Sequence, residues 1–277
     1  MLIDTDDISA CMRGCIVCSS QPDSGSAMRL TLLGTGSAGG TPCYGCDCPA
    51  CRRAAEDPQW RRRACSALLE VNGQKILLDA GLTDLAERFP PGSLSQILLT
   101  HYHMDHILGL FDLRWGVNQR IPLAGPDDPE KSRELKRHPG ILDISHLEAF
   151  EELELGAIQV TSLPLNHSCP SFGYCFDDGR NSLAYLTDTL GLPEQTEAWL
   201  MRQRPSLIVI DCSLPPGKRG GGMHNDLQSA CDTLTRLRPE RGVLSHLGHD
   251  LESWLMQQPQ VLPAGVELAQ DGRVYTL

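Results

Sequence analysis

The sequence predicts an α/β protein in which two mixed sheets pack face to face and helices cover their outer sides. Three observations predict it. Short apolar runs of strand character recur through both halves of the chain. Helical segments fall between them rather than in one block. No internal repeat divides the 277 residues. A chain of this length suits one large domain and buries roughly three-quarters of its unfolded surface, so it needs no disulfides to hold a core.

Taken in order, residues 29–33 (RLTLL) form the first strand. A Gly-rich loop follows over 34–41 and a Cys-rich loop over 43–51, with a short helix at 49–56. Residues 66–71 and 75–78 are strands around Asn72-Gly73, a strong hairpin pair. A short helix covers 83–88, and a buried strand, QILLT, covers 96–100 and stops at His101. Residues 106–113 are helical. Further strands are expected at 121–123, 158–163, 182–186 and 207–210, helices at 192–202 and 226–237, a late strand at 243–244, and a final hairpin over 266–277.

Residues 1–27 stand apart. They carry Cys11, Cys15 and Cys18 in a polar segment without periodicity, and Met28 follows directly. The Cys spacing matches iron–sulfur ligation in radical enzymes, but no βα-repeat barrel follows it. A disordered tail or an over-called start is expected there, with a single domain over 28–277.

Composition narrows the function. The 35 Asp and Glu outnumber the 24 Lys and Arg, for a formal charge of -11. That balance argues against a protein whose task is gripping bulk nucleic acid. It permits a small anionic substrate met by bound cations. No run approaches the ~20 apolar residues of a membrane span, and the acidic start lacks the basic and apolar regions of a signal peptide. A cytoplasmic location is expected, so the 12 Cys read as metal ligands, core residues or free thiols rather than disulfides.

The decisive segment is THYHMDH. His101, His103, Asp105 and His106 place four ligands within six residues after an apolar strand. Imidazole and carboxylate together suit Zn, Mn or Fe in hydrolytic roles. Three later residues each end an apolar run, where a sheet presents its edge to a cleft: His167, Asp188 and His246. With the first cluster they complete two sites. His101, His103 and His167 hold one ion, Asp105, His106 and His246 the other, and Asp188 bridges. A separate group, Cys46, Cys48 and Cys51, reads as a closed zinc site lacking one ligand, for which His249 or Cys43 is available.

THYHMDH with the later His167, Asp188 and His246 resembles the metallo-β-lactamase superfamily, over essentially Met28 to Leu277. The resemblance implies the αββα sandwich of that superfamily, and a supporting role behind the ligands for Asp79 in LLDAG. LGTGSAGGTP, GCDCPAC, LPLNHSCPSFGY, LTDTLGLPE, DCS and SHLGH are similar to the PhnP type, phosphoribosyl 1,2-cyclic phosphate phosphodiesterases of the carbon–phosphorus lyase pathway in phosphonate catabolism. That likeness implies hydrolysis of 5-phosphoribosyl 1,2-cyclic phosphate to ribose 1,5-bisphosphate and a homodimer. Its cofactors would be two catalytic Mn2+ or Zn2+ ions and one structural Zn2+ on Cys46, Cys48, Cys51 and His249. It carries catalytic roles onto Asp188 and onto His224 in MHNDL. The partner is then a small phosphorylated sugar, with no nucleic acid and no membrane.

Weaker candidates for the pocket are the Gly34–Gly40 loop, Arg61-Arg62-Arg63, Arg114, Trp115 and His138. Rival readings are a tRNA 3′-processing nuclease of the same superfamily, which needs a basic arm for tRNA, a non-hydrolytic pyrroloquinoline quinone biosynthesis-like protein, and a metal or redox sensor built on Cys46–Cys51.

Overall fold

The computed structural model describes residues 27–218, 222–258 and 261–277. The expected tail lies outside them, save Ala27. The described strands are β1 (Arg29–Gly34), β2 (Ser66–Val71), β3 (Gln74–Leu78), β4 (Gln96–Leu98), β5 (Ile121–Pro126), β6 (Leu142–Leu147), β7 (Glu152–Leu155), β8 (Ile158–Pro164), β9 (Phe172–Asp177), β10 (Ser182–Leu186), β11 (Leu207–Asp211), β12 (Arg241–Ser245), β13 (Val266–Leu268) and β14 (Val274–Thr276). They form two seven-stranded sheets, in the orders β14-β1-β2-β3-β4-β5-β6 and β13-β12-β11-β10-β9-β8-β7.

Period-two alternation decides which way each strand faces. In β3, Ile76 and Leu78 enter the core between the sheets while Leu77 faces out. In β11, Leu207 and Val209 face in while Ile208 and Ile210 face out. The outward face of the first sheet is covered by α2 (Leu85–Arg88), α3 (Met104–Ile107), α4 (Leu110–Leu113) and α5 (Arg133–Arg137), through Leu85, Ile107, Leu110, Leu113 and Leu135. The second sheet is covered by α6 (Glu194–Gln203), α7 (Leu227–Leu237) and α8 (His249–Leu255), through Leu200, Leu227, Leu234 and Leu251. The result is the expected four-layer αββα sandwich. A further helix, α1 (Pro49–Glu56), packs on α8. None of the described helices is long and apolar enough to cross a membrane.

Strands β3 to β6 run parallel to one another, as do β10 to β13. Their carboxyl ends therefore gather at one edge of each sheet, the usual place for a ligand site in such sheets.

Several expectations need correction. The segment 266–277 is no hairpin: β13 pairs parallel with β12, whereas β14 pairs antiparallel with β1 in the other sheet. Ala269 is buried between the sheets, and the Asp271 carboxylate is held by Thr35 Oγ1 and Arg63 N–H, so the chain crosses over there. The single helix at 106–113 is two short ones. Gly109 separates them, its N–H bonded to Ala80 O at 2.8 Å, and a Cβ there would stand 1.9 Å from Leu82 O. Strand β4 ends at Leu98, since Thr100 N–H turns to the Asp79 carboxylate at 2.8 Å.

Candidate metal centre

Each candidate ligand leaves a strand end. Asp79 follows β3, His101 to His106 follow β4 into α3, His167 follows β8, Asp188 follows β10 and His246 follows β12. Asp79, Asp188 and His246 have φ of 56°, 62° and 58°. A left-handed backbone at a non-glycine residue costs of order 1–3 kcal/mol and persists where the surroundings over-determine it. Here it turns the chain sharply off each strand.

The side chains converge in two groups. In one, His103 Nδ1 stands 2.9 Å from His101 Nε2 and 3.1 Å from His167 Nε2. In the other, Asp105, His106, Asp188 and His246 offer one ligand atom each within 4.8 Å of one another. Asp188 joins the two groups: Oδ2 is 3.4 Å from His106 Nε2 and 3.7 Å from His101 Nε2, and Oδ1 is 3.3 Å from His246 Nε2. The residues expected to share two ions thus lie together in these two groups.

The outer nitrogens fix the imidazoles. Nδ1 of His106 meets Asp79 Oδ2 at 2.8 Å, Nδ1 of His101 meets Thr100 Oγ1 at 3.0 Å, Nδ1 of His246 meets Ser213 Oγ at 2.8 Å, and Nδ1 of His167 meets Met223 O at 3.2 Å. With Nδ1–H donating outward, each Nε2 lone pair points inward, as a metal ligand requires. The interior polar atoms pass the same test. His106 Nε2, His246 Nε2 and Asp188 Oδ1 are buried without a hydrogen-bond partner. Buried groups of this kind need a partner, and a divalent cation supplies one. These residues fit a metal centre.

The electrostatics agree. Burial would raise the Asp188 carboxyl, yet the His246 and His106 charges hold it well below the usual carboxylate range. Burial would lower His246, yet Asp188 and Asp105 lift it to about 9. A proton on these imidazoles and a cation among them answer the same negative charge.

Asp211, at the end of β11, was not singled out from sequence. Its Oδ2 lies 2.7 Å from His224 Nδ1 and accepts Thr189 N–H at 2.9 Å; its Oδ1 accepts Ser213 Oγ–H at 2.8 Å. His224 is placed beside the centre, its ring stacked on that of His246 at 4.9 Å. Cys169, also missed, brings its thiol within 3.8 Å of His103 Nε2. The polar end of an apolar run could have marked Asp211, as it marked Asp188.

Cys46, Cys48, Cys51 and His249 form a separate group. His249 Nδ1 is 3.5 Å from Cys48 Sγ and 3.6 Å from Cys46 Sγ. Those separations match the edge of about 3.5 Å that a tetrahedron with zinc–ligand bonds of ~2.3 and ~2.0 Å would have. Cys43 joins through its backbone, its N–H donating to Cys51 Sγ. Burial favours the Cys48 thiol, but bonds from Ser253, Cys51 N–H and His249 bring it down to about 6, while burial and the neighbouring thiols push Cys51 up to about 12.

The Gly34–Gly40 loop borders the centre: Ser37 N–H bonds Leu247 O, next to His246. The arginine run does not reach it. Arg62 is buried against Glu252 at 2.9 Å, Arg63 pairs with Asp271 and Asp84, and Arg61 bonds Ala54 O. Arg114 is buried and donates to the carbonyls of Glu134 and His138, while Trp115 and His138 are exposed.

A family profile for a β-lactamase superfamily domain matches residues 74–247. A crystal structure described as a new diphosphatase from the PhnP family superposes with a TM-score of 0.76 at 28% identity, covering 90% of this chain and 98% of that one. An octanoyltransferase of Porphyromonas gingivalis is 28% identical over 88% of the chain, and the chain spans about half, 51%, of its length. A coenzyme PQQ synthesis protein B of Xanthomonas campestris is 23% identical, covering 88% of this chain and 98% of that protein.

Proposed function

The chain belongs to the metallo-β-lactamase superfamily, and from that membership we propose that it is a metal-dependent phosphodiesterase acting on 5-phosphoribosyl 1,2-cyclic phosphate in the cytoplasm. The observation that carries this reading is the pair of ligand groups joined by Asp188, with the His224–Asp211 pair beside them. The 28% identity to the PhnP-family structure, over nearly all of both chains, supports it.

His101, His103 and His167 would hold one manganese or zinc ion and Asp105, His106 and His246 a second, with Asp188 shared. Such ions bind phosphate oxygens, neutralise developing charge and make water a nucleophile at neutral pH. The protein's own residues do the rest. Asp79 and Ser213 keep their imidazoles oriented. Asp211 accepts a hydrogen bond from His224 Nδ1–H, which orients the ring and would support the doubly protonated imidazolium whose Nε2–H goes to the departing sugar oxygen. Product would leave as ribose 1,5-bisphosphate. Cys46, Cys48, Cys51 and His249 would hold a structural zinc that ties the N-terminal loop to α8. The same reading includes a homodimer. Exposed Met104, Leu108 and Trp115 offer apolar surface to a second copy, and light scattering tests that point.

Phosphorus NMR with 5-phosphoribosyl 1,2-cyclic phosphate and added manganese tests the activity. Ribose 1,5-bisphosphate should accumulate. An inert cyclic ester beside cleavage of a diphosphate linkage would move the reading to a diphosphatase, the activity for which the neighbouring PhnP-family structure is described.

A further inference from the structure

Cys169 has so far been given no role. It lies in the turn from β8 to β9, two residues after His167, and that turn is fastened at both ends. Leu165 N–H bonds Ser171 O at 3.0 Å, and Phe172 N–H bonds the carbonyl of Thr100 at 2.8 Å, next to His101. Within the turn, Ser171 Oγ–H donates to the Cys169 carbonyl at 2.9 Å. The thiol is thereby held, half-buried, against the first ligand group.

His101, His103, His167 and Cys169 each offer one ligand atom within 4.8 Å of the others. His103 turns Nδ1 toward the other two imidazoles. Its Nε2 faces outward, where Ser168 Oγ stands at 3.4 Å and Cys169 Sγ at 3.8 Å. Sulfur is a weak acceptor, so the nearer hydroxyl is the better partner for that nitrogen. Ser171 Oγ, 3.9 Å from the sulfur, is already committed to a carbonyl. The sulfur is left without a strong hydrogen bond beside three imidazoles. A second observation points to an ion in the same place. Asp188, 2% exposed, carries a buried Oδ1 without a hydrogen-bond partner, while its Oδ2 stands 3.7 Å from His101 Nε2 and 3.8 Å from His167 Nε2. Soft thiolate favours zinc, whereas manganese suits carboxylate, carbonyl and water. The other group, Asp105, His106, Asp188 and His246, holds nitrogen and oxygen alone.

We infer that Cys169 is a fourth protein ligand of the ion on His101, His103 and His167, and that it makes this half of the centre select zinc over manganese. The inference rests on the dinuclear centre proposed above, though not on the identity of the substrate. The two ions are then unlike: a sulfur-ligated zinc beside an ion held by nitrogen and oxygen.

Cobalt(II) reports sulfur ligation through a near-ultraviolet charge-transfer band. Wild type and Cys169→Ser are loaded with cobalt, and the spectrum of the variant is subtracted from that of the wild type. Any band from Cys46, Cys48 and Cys51 is common to both and cancels. A residual sulfur-to-cobalt band is expected, and a flat difference with cobalt bound overturns the inference alone. Competition between zinc and manganese, read by metal analysis, is the second measurement. Preference of the His101 group for zinc should fall by roughly 10–100-fold in Cys169→Ser, the loss typical of a disturbed metal shell. An unchanged preference overturns the claim of selection. A third measurement needs no variant. Wild type carrying zinc or manganese at the His and Asp groups is treated briefly with iodoacetamide, and the Cys169 peptide is read by mass spectrometry. Cys169 should be labelled several-fold faster in the manganese form, and equal labelling overturns the inference. Failure of the His and Asp groups to take up any metal overturns both the inference and the centre it rests on. None of these readouts uses turnover, so they decide the role of Cys169 whether or not the cyclic ester is hydrolysed.

Discussion

Oδ2 of Asp211 stands 2.7 Å from Nδ1 of His224, while Oδ1 of the same carboxylate takes a hydrogen bond from Ser213, whose hydroxyl also meets His246 Nδ1. One buried carboxylate thus serves two imidazoles, one beside the metal centre and one within it. His224→Ala should lower turnover of the cyclic ester by about 10²–10⁴, the usual worth of a general acid, and leave bound catalytic metal unchanged. Asp211→Asn should lower turnover and also weaken metal retention by roughly 10–100-fold, because it disturbs the support of His246. Kinetics paired with metal analysis separates the two. Metal loss in His224→Ala would count against this division of labour.

Gly81 is a point where the chain allows no side chain. A Cβ there would stand 1.7 Å from Asp105 O and 2.6 Å from Asp105 C. Gly81→Ala must push Asp105 and its neighbours away, at a cost of about 3 kcal/mol or more. Urea denaturation of the metal-free protein should show the loss, and the loaded protein should hold less catalytic metal.

Replacement of Cys48 tests the second group. If Cys46, Cys48, Cys51 and His249 hold zinc as proposed, Cys48→Ser should remove one zinc per chain and leave the metal bound by the Asp188-centred groups unchanged. Each kcal/mol lost lowers Tm by roughly 2–4 °C in a protein approaching this size. A drop of several degrees with unchanged zinc content would refute the zinc assignment.

Asp226 caps α7, accepting Ser229 N–H at 2.8 Å and Gly217 N–H at 2.7 Å. Burial alone would raise its carboxyl, but these bonds bring it below the ordinary value of 3.8. A carboxylate depressed in the folded state stabilises above its unfolded pKa, and that contribution fades as pH falls through the folded value. Asp226→Ala should therefore cost about 1 kcal/mol at pH 7, with the gap to wild type closing below about pH 4. Urea melts across that range measure it.

The candidate ligands were legible in two ways: His101, His103, Asp105 and His106 as a dense cluster after β4, and His167, Asp188 and His246 as polar residues ending apolar runs, the mark of a strand that ends at a cleft. Asp211 carries the same mark. Its partners are His224, 13 residues on, and Ser213, so its role lies in contacts that spacing does not show. The arginine run misled because Arg62 is neutralised by Glu252, 190 residues away and buried with it. Among the strands, β9 escaped because Gly173 reads as a break. In the fold a side chain there would meet Leu186 Cδ2 at 2.6 Å, so glycine is what lets β9 lie against β10. β7, ELEL, is an edge strand of only four residues, half of them glutamate, with both leucines only partly buried. The apparent last hairpin looked like one because Asp271-Gly272 is a turn, and only the pairing partners reveal that the turn joins different sheets.

Pairing of β1 with β14 sets Arg29 opposite Thr276, near the two ends of the described chain. A growing polypeptide that has reached Leu147 already holds the first six strands and His101, His103, Asp105 and His106, yet neither ligand group is whole. His167, Asp188 and His246 arrive later, and the first sheet gains its outer strand last of all. Contacts this distant in sequence form slowly. Metal capture should accordingly come as a late event in folding, and an ion that binds the finished molecule better than its precursors would act as a latch on the completed topology.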